Sequence, residues 1–274
     1  MKLQGVAIAL ALSLAASSAR AQTFELFGRD RGRGRYDSPQ NFAVEVRGGP
    51  WYPNVDAEFG GRASPFADMF GADDRVLMNL EVDWQALRFN YLGSLGIGVG
   101  AGYTAASGVA PITQSPMPAD PTEWNRPAGG QETSLAVIPM YAVGVFRLDV
   151  IARRTVVPLV PYVKFGVAYD YWWISNGDVL ARRSVGLSPG ASINDPDIEA
   201  GATGGTMGTH LALGLMLRLD FIEPRAARAW DLQMGVNHSY LFFEYVRHDT
   251  SGVGARPQLR LDYESWATGL AFEF

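Results

Sequence analysis

The sequence of 274 residues contains no cysteine. This absence excludes a disulfide framework, cysteine metal ligands, thiolate catalysis and a lipid anchor on cysteine. Only three histidines are present, and His210 and His248 are expected to be isolated from one another. A transition-metal site is therefore improbable, and we expect neither a metal nor another cofactor.

Long apolar runs are also missing after the first residues of the chain. No run reaches the roughly 18 apolar residues that a transmembrane helix requires. The formal net charge of -5 argues against nucleic acid as a partner. The chain does contain 31 glycines and 12% aromatic residues, a composition that favours strands and turns over helices.

The first 21 residues have the features of a secretory signal peptide. Lys2 supplies a positive charge, Val6 to Ala16 is apolar, and Ala19-Arg20-Ala21 is a small-residue cleavage site. The mature chain is then expected to begin at Gln22. Residues 22–40 carry alternating arginines and small residues, which predicts a flexible N-terminal arm. Contact of this arm with anionic lipid headgroups or with a partner is the alternative interpretation.

Residues 41–274 contain eight segments in which apolar and polar side chains alternate. A period of two is the pattern of a β-strand. The segments are about Asn41 to Trp51, Arg75 to Ala86, Phe89 to Ala105, Glu132 to Val150, Thr155 to Ser175, Thr206 to Phe221, Ala229 to His248 and Pro257 to Phe274. In the seventh, Tyr240 and Phe242 are assigned to the apolar face and Ser239 to the polar face. The fourth is apolar on both faces, so its facing is left open.

Short and long connections alternate between these segments. The short ones are a turn near Leu87, Ile151 to Arg154, and Ile222 to Arg228; the long ones are Tyr52 to Asp74, Ala106 to Gln131, Asn176 to Gly205, and Asp249 to Arg256. This alternation predicts an all-β, eight-stranded antiparallel barrel of the up-and-down meander type, with residues 41–274 as one domain. Because the number of strands is even, the chain enters and leaves the barrel on the same side.

The polar face decides between a soluble and a membrane barrel. It combines charged residues with many glycines, which fits a narrow lumen better than a water-exposed surface. The opposite, apolar face is then expected to contact lipid, so the barrel is transmembrane. A lumen network of paired charges is predicted from Glu45, Arg47, Glu81, Asp83, Lys164, Asp170, Arg218 and Asp220. Because eight strands enclose little space, these side chains are expected to plug the barrel.

The last six residues of the final segment include Gly269, Phe272 and Phe274. This resembles the C-terminal signal of bacterial outer-membrane barrels, in which a glycine precedes alternating aromatic residues. The resemblance implies recognition by the outer-membrane insertion machinery and a location in the cell outer membrane. Outer-membrane lipids and lipopolysaccharide are then the expected neighbours, the N-terminal arm is periplasmic, and the protein is expected to be a monomer.

Five stretches resemble a more specific group. They are Phe24 to Gly28, Leu80 to Gln85, Pro158 to Tyr162, Tyr171 to Ile174, and Gly235 to Tyr245. They are similar to a family of predicted outer-membrane β-barrel proteins known from myxobacterial genomes, to which no function is assigned. The resemblance implies a fold and a location, and it transfers no catalytic residue.

Three classes of function remain after these observations. The first is a non-enzymatic structural or surface-interaction role, and the second is a small porin-like channel. The third is a lipid A-modifying enzyme, because His238, Ser239 and Glu244 superficially resemble the base, nucleophile and orienting residue of outer-membrane lipid A deacylases. In that family the His and Ser are two residues apart, whereas adjacent His238 and Ser239 point to opposite faces of a strand. We therefore expect no enzyme and place His238 at the outer-leaflet interface.

Overall fold

The structure is a computed structural model of the whole chain, and it is described for part of that chain. The described residues are 24–25, 41–89, 91–109, 132–155, 157–176, 179–180, 182–184, 199–220, 222, 233–251 and 259–274. The predicted signal peptide and nearly all of the predicted arm at 22–40 lie outside them. No helix among the described residues is long and apolar enough to span a membrane.

Eight long strands form a closed antiparallel barrel. They are β1 (Phe42–Trp51), β2 (Arg75–Phe89), β3 (Gly93–Val109), β4 (Glu132–Arg147), β5 (Leu159–Asn176), β6 (Thr203–Arg218), β7 (His238–Asp249) and β8 (Tyr263–Glu273). Each strand pairs with its neighbours in the sequence, and β8 pairs with β1 to close the ring. The predicted eight-stranded up-and-down barrel is confirmed.

The barrel has two ends that differ in their connections. At the first, which we call the turn end, β2 is joined to β3 across residues 90–92, and β4 is joined to β5 through the short helix α2 (Val150–Arg154). The predicted turn near Leu87 is wrong, because Leu87 still belongs to β2 and pairs with Leu95 beyond a bulge. At the opposite loop end, Tyr52 to Asp74 folds into a 3-10 helix (Asn54–Phe59) and α1 (Pro65–Phe70).

Four short strands lie beside the barrel. Phe24–Glu25 pairs in parallel with Leu87 and Arg88, and Val179–Leu180 pairs with the loop end of β5. Arg182–Ser184 and Glu199–Gly201 form a separate antiparallel pair. Pairing of the first of these means that part of the predicted arm is attached to the barrel wall.

The alternation of faces follows the prediction in most strands. On β1, for example, Ala43, Glu45 and Arg47 are buried while Val46 is exposed. On β4, whose sequence is apolar on both faces, the odd-numbered residues point inward, and the inward row ends with Arg147.

The facing predicted for the seventh segment is wrong. Tyr240 and Phe242 are buried in the lumen, together with Glu244, while Leu241 and Phe243 are exposed on the outside. The polar residues at 233–237 guided that prediction, but the strand starts only at His238. Residues that precede a strand do not have to follow its alternation, so they carried no information about its faces.

Candidate functional site in the barrel lumen

A cluster of charged side chains fills the middle of the lumen. The Lys164 ammonium donates to Glu45 Oε2 at 2.5 Å and to Glu81 Oε1 at 2.7 Å. The Arg47 guanidinium donates to Glu45 Oε2 at 2.8 Å and also contacts Glu81 and Glu244. All of these side chains are almost completely buried. The inward positions of four strands thus place both signs of charge at one level of the barrel.

A second arginine extends the cluster toward the turn end. Arg147 donates to Glu45 Oε1 at 2.8 Å and to Glu273 Oε1 at 3.2 Å, and it also contacts Asp83. Glu273 is held in addition by the Gln85 amide at 2.8 Å. Each carboxylate of the network therefore contacts at least one of the three buried cations, as buried charges must if their desolvation is to be offset.

Three tyrosines add hydrogen bonds to three of the carboxylates. Tyr141, Tyr162 and Tyr240 donate to Glu81, Glu244 and Glu273, at 2.8, 2.7 and 2.8 Å. Two of the rings lie over inward-facing glycines: a side chain at Gly100 would collide with the ring of Tyr141, and one at Gly214 with that of Tyr162. The glycines of the polar face thus make room for large hydrogen-bonding groups.

The predicted lumen residues separate into three groups: those of the central network, Asp170 nearer the loop end, and Arg218 with Asp220 at the turn end. Glu45, Arg47, Glu81, Asp83 and Lys164 come together in the central network. Asp170 lies apart from it, nearer the loop end. Three residues of the network, namely Arg147, Glu244 and Glu273, were not in the predicted set. Glu273 was available from the alternation of the last strand, whereas the other two lie on the strands with open or mistaken facing.

Arg218 and Asp220 do not join the central network. They lie at the turn end, partly exposed, with Arg218 Nε 3.6 Å from Asp220 Oδ2. Asp220 contacts the His238 ring and accepts a hydrogen bond from the Ser239 N–H at 3.2 Å. The later start of β7 puts His238 at the turn end, paired with Glu273 on β8, whereas the predicted position near the outer leaflet requires the loop end, where the long connections lie.

The residues considered for catalysis are not assembled as a triad. Glu244 lies in the central network with Arg47 and Tyr162, and His238 is oriented by Asp220 instead. Ser239 is presented to that pair through its backbone N–H. The geometry therefore supplies no base–nucleophile hydrogen bond between His238 and Ser239 of the kind that acyl transfer requires.

A second polar group occupies the loop half of the lumen. Asp170 accepts from His248 Nε2 at 2.8 Å and from the Thr250 hydroxyl at 2.9 Å. His248 Nδ1 lies 3.0 Å from His210 Nδ1, and the His210 ring stacks on Tyr141 with centroids 4.1 Å apart. The expectation that His210 and His248 are isolated is wrong, because the antiparallel register places them directly opposite each other on β6 and β7.

The carboxylates of Glu45, Glu81 and Asp83 approach one another closely enough to hold a metal ion. Lys164 and the two arginines already donate to these oxygens. An ammonium and guanidinium groups therefore take the position that a bound cation would occupy, and the donor set fits an ion-pair network better than a metal site.

An apolar cap closes the loop end of the lumen. Phe66 of α1 is buried against Trp51 and Tyr52, with ring centroids 6.1 and 5.2 Å apart. The Asp56 carboxylate accepts from the backbone N–H groups of Phe66 and Ala67 at 2.7 and 3.1 Å, which satisfies donors at the start of a helix. Partial burial and the neighbouring Asp56 carboxylate raise the pKa of Tyr52.

The residues of the predicted assembly signal lie on the strand that closes the barrel. Gly269 and Phe272 pair with Arg47 and Val44 of β1. The Phe274 carbonyl accepts from the N–H groups of Asn41 and Phe42 at 2.9 and 3.2 Å.

Comparison with known proteins gives matches among solved structures alone. No family model matches the chain, and no curated protein matches it. The chain is similar to Ail, the attachment invasion locus protein of Yersinia pestis, solved in complex with the heparin analogue sucrose octasulfate (9% identity, 86% of this chain and 97% of that one, TM-score 0.41). It is also similar to the outer membrane protein OprG from Pseudomonas aeruginosa (9% identity, 87% and 97%, TM-score 0.43).

Proposed function

We propose that the chain is an integral outer-membrane β-barrel with a non-enzymatic, structural or surface-interaction role and a closed lumen. The observation that carries this proposal is the central network, in which Arg47, Arg147 and Lys164 are fully buried among carboxylates. Side chains locked together in this way occupy the space through which a solute would have to pass.

The outer surface supports insertion into a membrane. Large apolar side chains on it are exposed around the barrel, among them Val76 at 70%, Phe165 at 62% and Val167 at 60%. Soluble proteins rarely expose continuous apolar surface of this kind. A charged interior within an apolar exterior is the arrangement of a barrel that faces lipid.

Aromatic side chains on the outer face support the same placement. Tyr171 and Trp173 lie with ring centroids 5.8 Å apart near the loop end of β5, and Tyr103 of β3 is 6.4 Å from Trp173. Phe243 stacks on Trp266 at 4.9 Å. Such girdles are typical of the membrane–water interface. Lipids and lipopolysaccharide are accordingly the proposed neighbours, and ring closure, which removes open strand edges, supports a monomer.

Conductance in planar bilayers tests the closed lumen. The protein would be purified, its barrel verified by a shift in gel mobility between heated and unheated samples, and then inserted. We expect no stable open steps, because the network and the cap block the lumen at two levels. Stable open steps from the heat-modifiable form would overturn the closed lumen and favour the alternative, a small porin-like channel.

A deletion strain tests the proposed role. Fractionation of the parent strain should place the protein in the outer membrane, and the deletion should alter adhesion or envelope permeability while leaving lipid A unchanged. Altered lipid A acylation in the deletion strain, restored by the wild type and lost again in H238A, would favour the lipid A-modifying enzyme instead.

A further inference from the structure

A small cavity lies between the two polar groups of the lumen. Its lining includes Arg47 and Tyr141 from the central network, His210 from the loop-side group, and Asn79 of β2. The centre of a water molecule can occupy about 20 Å³ of it. A single water needs about 10–15 Å³ of space for its centre, so the cavity has room for one water.

Three buried polar atoms on these lining residues make no hydrogen bond within the described part of the chain. They are Arg47 Nε, Asn79 Oδ1 and His210 Nε2. Arg47 and His210 are each 2% exposed. A buried polar atom without a partner is costly, and buried waters typically bond to polar groups of this kind. Three such residues around one cavity point to a common ligand.

If both imidazole rings are neutral, the hydrogen bonds in the loop half of the lumen set which nitrogen of His210 carries the proton. The Asp170 carboxylate accepts from His248, so His248 Nε2 carries the proton and, in a neutral ring, its Nδ1 is an acceptor. His210 Nδ1, 3.0 Å away, must then be the donor. The remaining nitrogen of His210, Nε2, is left with a lone pair.

We propose that this cavity is a binding site for one water molecule that joins the two polar groups. The Arg47 Nε–H can donate to the water oxygen, and the water can donate one hydrogen to Asn79 Oδ1 and the other to His210 Nε2. One donor and two acceptors are the complement that a water satisfies with three hydrogen bonds. A cation is disfavoured because the guanidinium of Arg47 forms part of the lining.

This water site makes the charges and histidines one continuous network. It runs from Thr250 and Asp170 through the two histidines and the water to Arg47, and from there to the carboxylates. The inference deepens the closed-lumen proposal, because a bridged network holds the two levels of the plug together. It depends on the interior contacts and not on the membrane location.

The contact between β8 and β1 forms one wall of the site. The ladder between β8 and β1 runs from Glu273 and Ala43 to Thr268 and Gly48. Gly49, Pro50, Ser265 and Trp266, which line the cavity, come immediately beyond that last pair. Proline has no N–H for a ladder, and here the Ser265 hydroxyl donates to the Pro50 carbonyl at 2.6 Å instead.

Nuclear magnetic resonance of the whole protein in lipid nanodiscs tests the site with water as the probe. We expect a water cross-peak to the Arg47 Nε–H that persists longer than those of surface water, and a His210 ring with a protonated Nδ1 and an unprotonated Nε2. N79L, which removes one acceptor and fills part of the cavity, should abolish the cross-peak. T206V should keep it, because Thr206 is buried outside the cavity lining.

The wild-type spectrum decides the proposal even if N79L does not fold. A His210 ring protonated at Nε2, or a folded wild type without the long-lived water, would overturn it. Survival of the cross-peak in folded N79L would overturn the assigned ligands. Conductance by the same sample would overturn the closed lumen but leave the water site intact, so the two failures can be told apart.

Discussion

The Lys164 ammonium nitrogen lies 2.5 Å from Glu45 Oε2, and neither side chain is exposed to solvent. The same nitrogen lies 2.7 Å from Glu81 Oε1, so one buried cation serves two carboxylates. In a low-dielectric interior such a cation need not increase stability relative to an apolar core, but its removal leaves charges that nothing compensates.

Replacement of Lys164 by Met should therefore be strongly destabilising. Met retains most of the apolar stem, so the change removes mainly the charge. We expect a loss of about 3–5 kcal/mol in the free energy of unfolding, measured by urea titration of the folded barrel in lipid vesicles. Adding E45Q to K164M should recover part of this loss because it removes one of the uncompensated charges.

R247M is the matched control for the loss of a cation. Arg247 is on the outer face of β7, 56% exposed, with its Nε 3.5 Å from Glu264. Exposed pairs contribute about 0–1 kcal/mol, so R247M should have little effect. Equal losses in K164M and R247M would contradict the assignment of Lys164 to a buried network.

The glycines under the lumen tyrosines predict a second asymmetry. A side chain at Gly100 meets the Tyr141 ring, whereas one at Gly144 on the outer face meets only the Phe165 carbonyl oxygen, at 3.8 Å. G100V should cost about 1–3 kcal/mol through overpacking, and G144V should stay within about 0.5 kcal/mol. The same urea titration measures both, and both gain the same strand propensity of Val. Tolerance of G100V would mean that Tyr141 is not held over Gly100.

The loop-end cap depends on Asp56. D56A removes the acceptor for the Phe66 and Ala67 N–H groups, and loss of such a cap costs about 0.5–2 kcal/mol. Protease cleavage within residues 52–74 of the intact barrel should become faster. D74A, a change of an exposed acid in the same loop, is the control and should leave the rate unchanged. Equal cleavage of both variants would exclude this role for Asp56.

Alkaline pH should act on the same cap through Tyr52, whose pKa is raised by burial and by Asp56. The neutral phenol is favoured in the folded cap, so this contribution is present below the ordinary pKa of about 10. It is lost as the pH rises through the higher folded value. Cap cleavage should therefore accelerate in strong alkali in the wild type more than in Y52F. Equal acceleration would show that Tyr52 does not couple to the cap.

The barrel was predictable from sequence because each strand repeats one local signal. Leu occupies every second position from Leu211 to Leu219, and three of the four residues between are small or polar; alternation of this length is the pattern of a strand. The signal weakened on β4, where Val143 and Val145 in the lumen are as apolar as Met140 outside. Alternation identifies a face only where the two faces differ in polarity.

The partners inside the lumen were much less predictable. His210 and His248 are 38 residues apart in sequence but 3.0 Å apart in space, a contact set by the register of β6 and β7. Arg47 and Glu244 similarly meet across 197 residues. Register depends on the whole ring of strands and on how each turn is closed, so the alternation of one strand names candidates for the network without naming their partners.

The two phenylalanines at the end of the closing strand give the last prediction, which concerns assembly. Phe272 and Phe274 continue the outward row of Leu270, on the strand that seals the ring against β1. If they form the assembly signal, F272A/F274A should lower the amount of heat-modifiable protein in the outer membrane and cause the unassembled chain to accumulate or be degraded. The backbone bonds from Asn41 and Phe42 to the Phe274 carbonyl remain possible in this variant.

F243A is the control for this prediction. It removes an aromatic side chain that is 53% exposed on the neighbouring strand and should leave assembly normal. Because stability could also fall, the variant would be refolded into lipid vesicles without the insertion machinery: normal refolding with poor assembly in cells indicates a signal, and normal assembly in cells would rule it out.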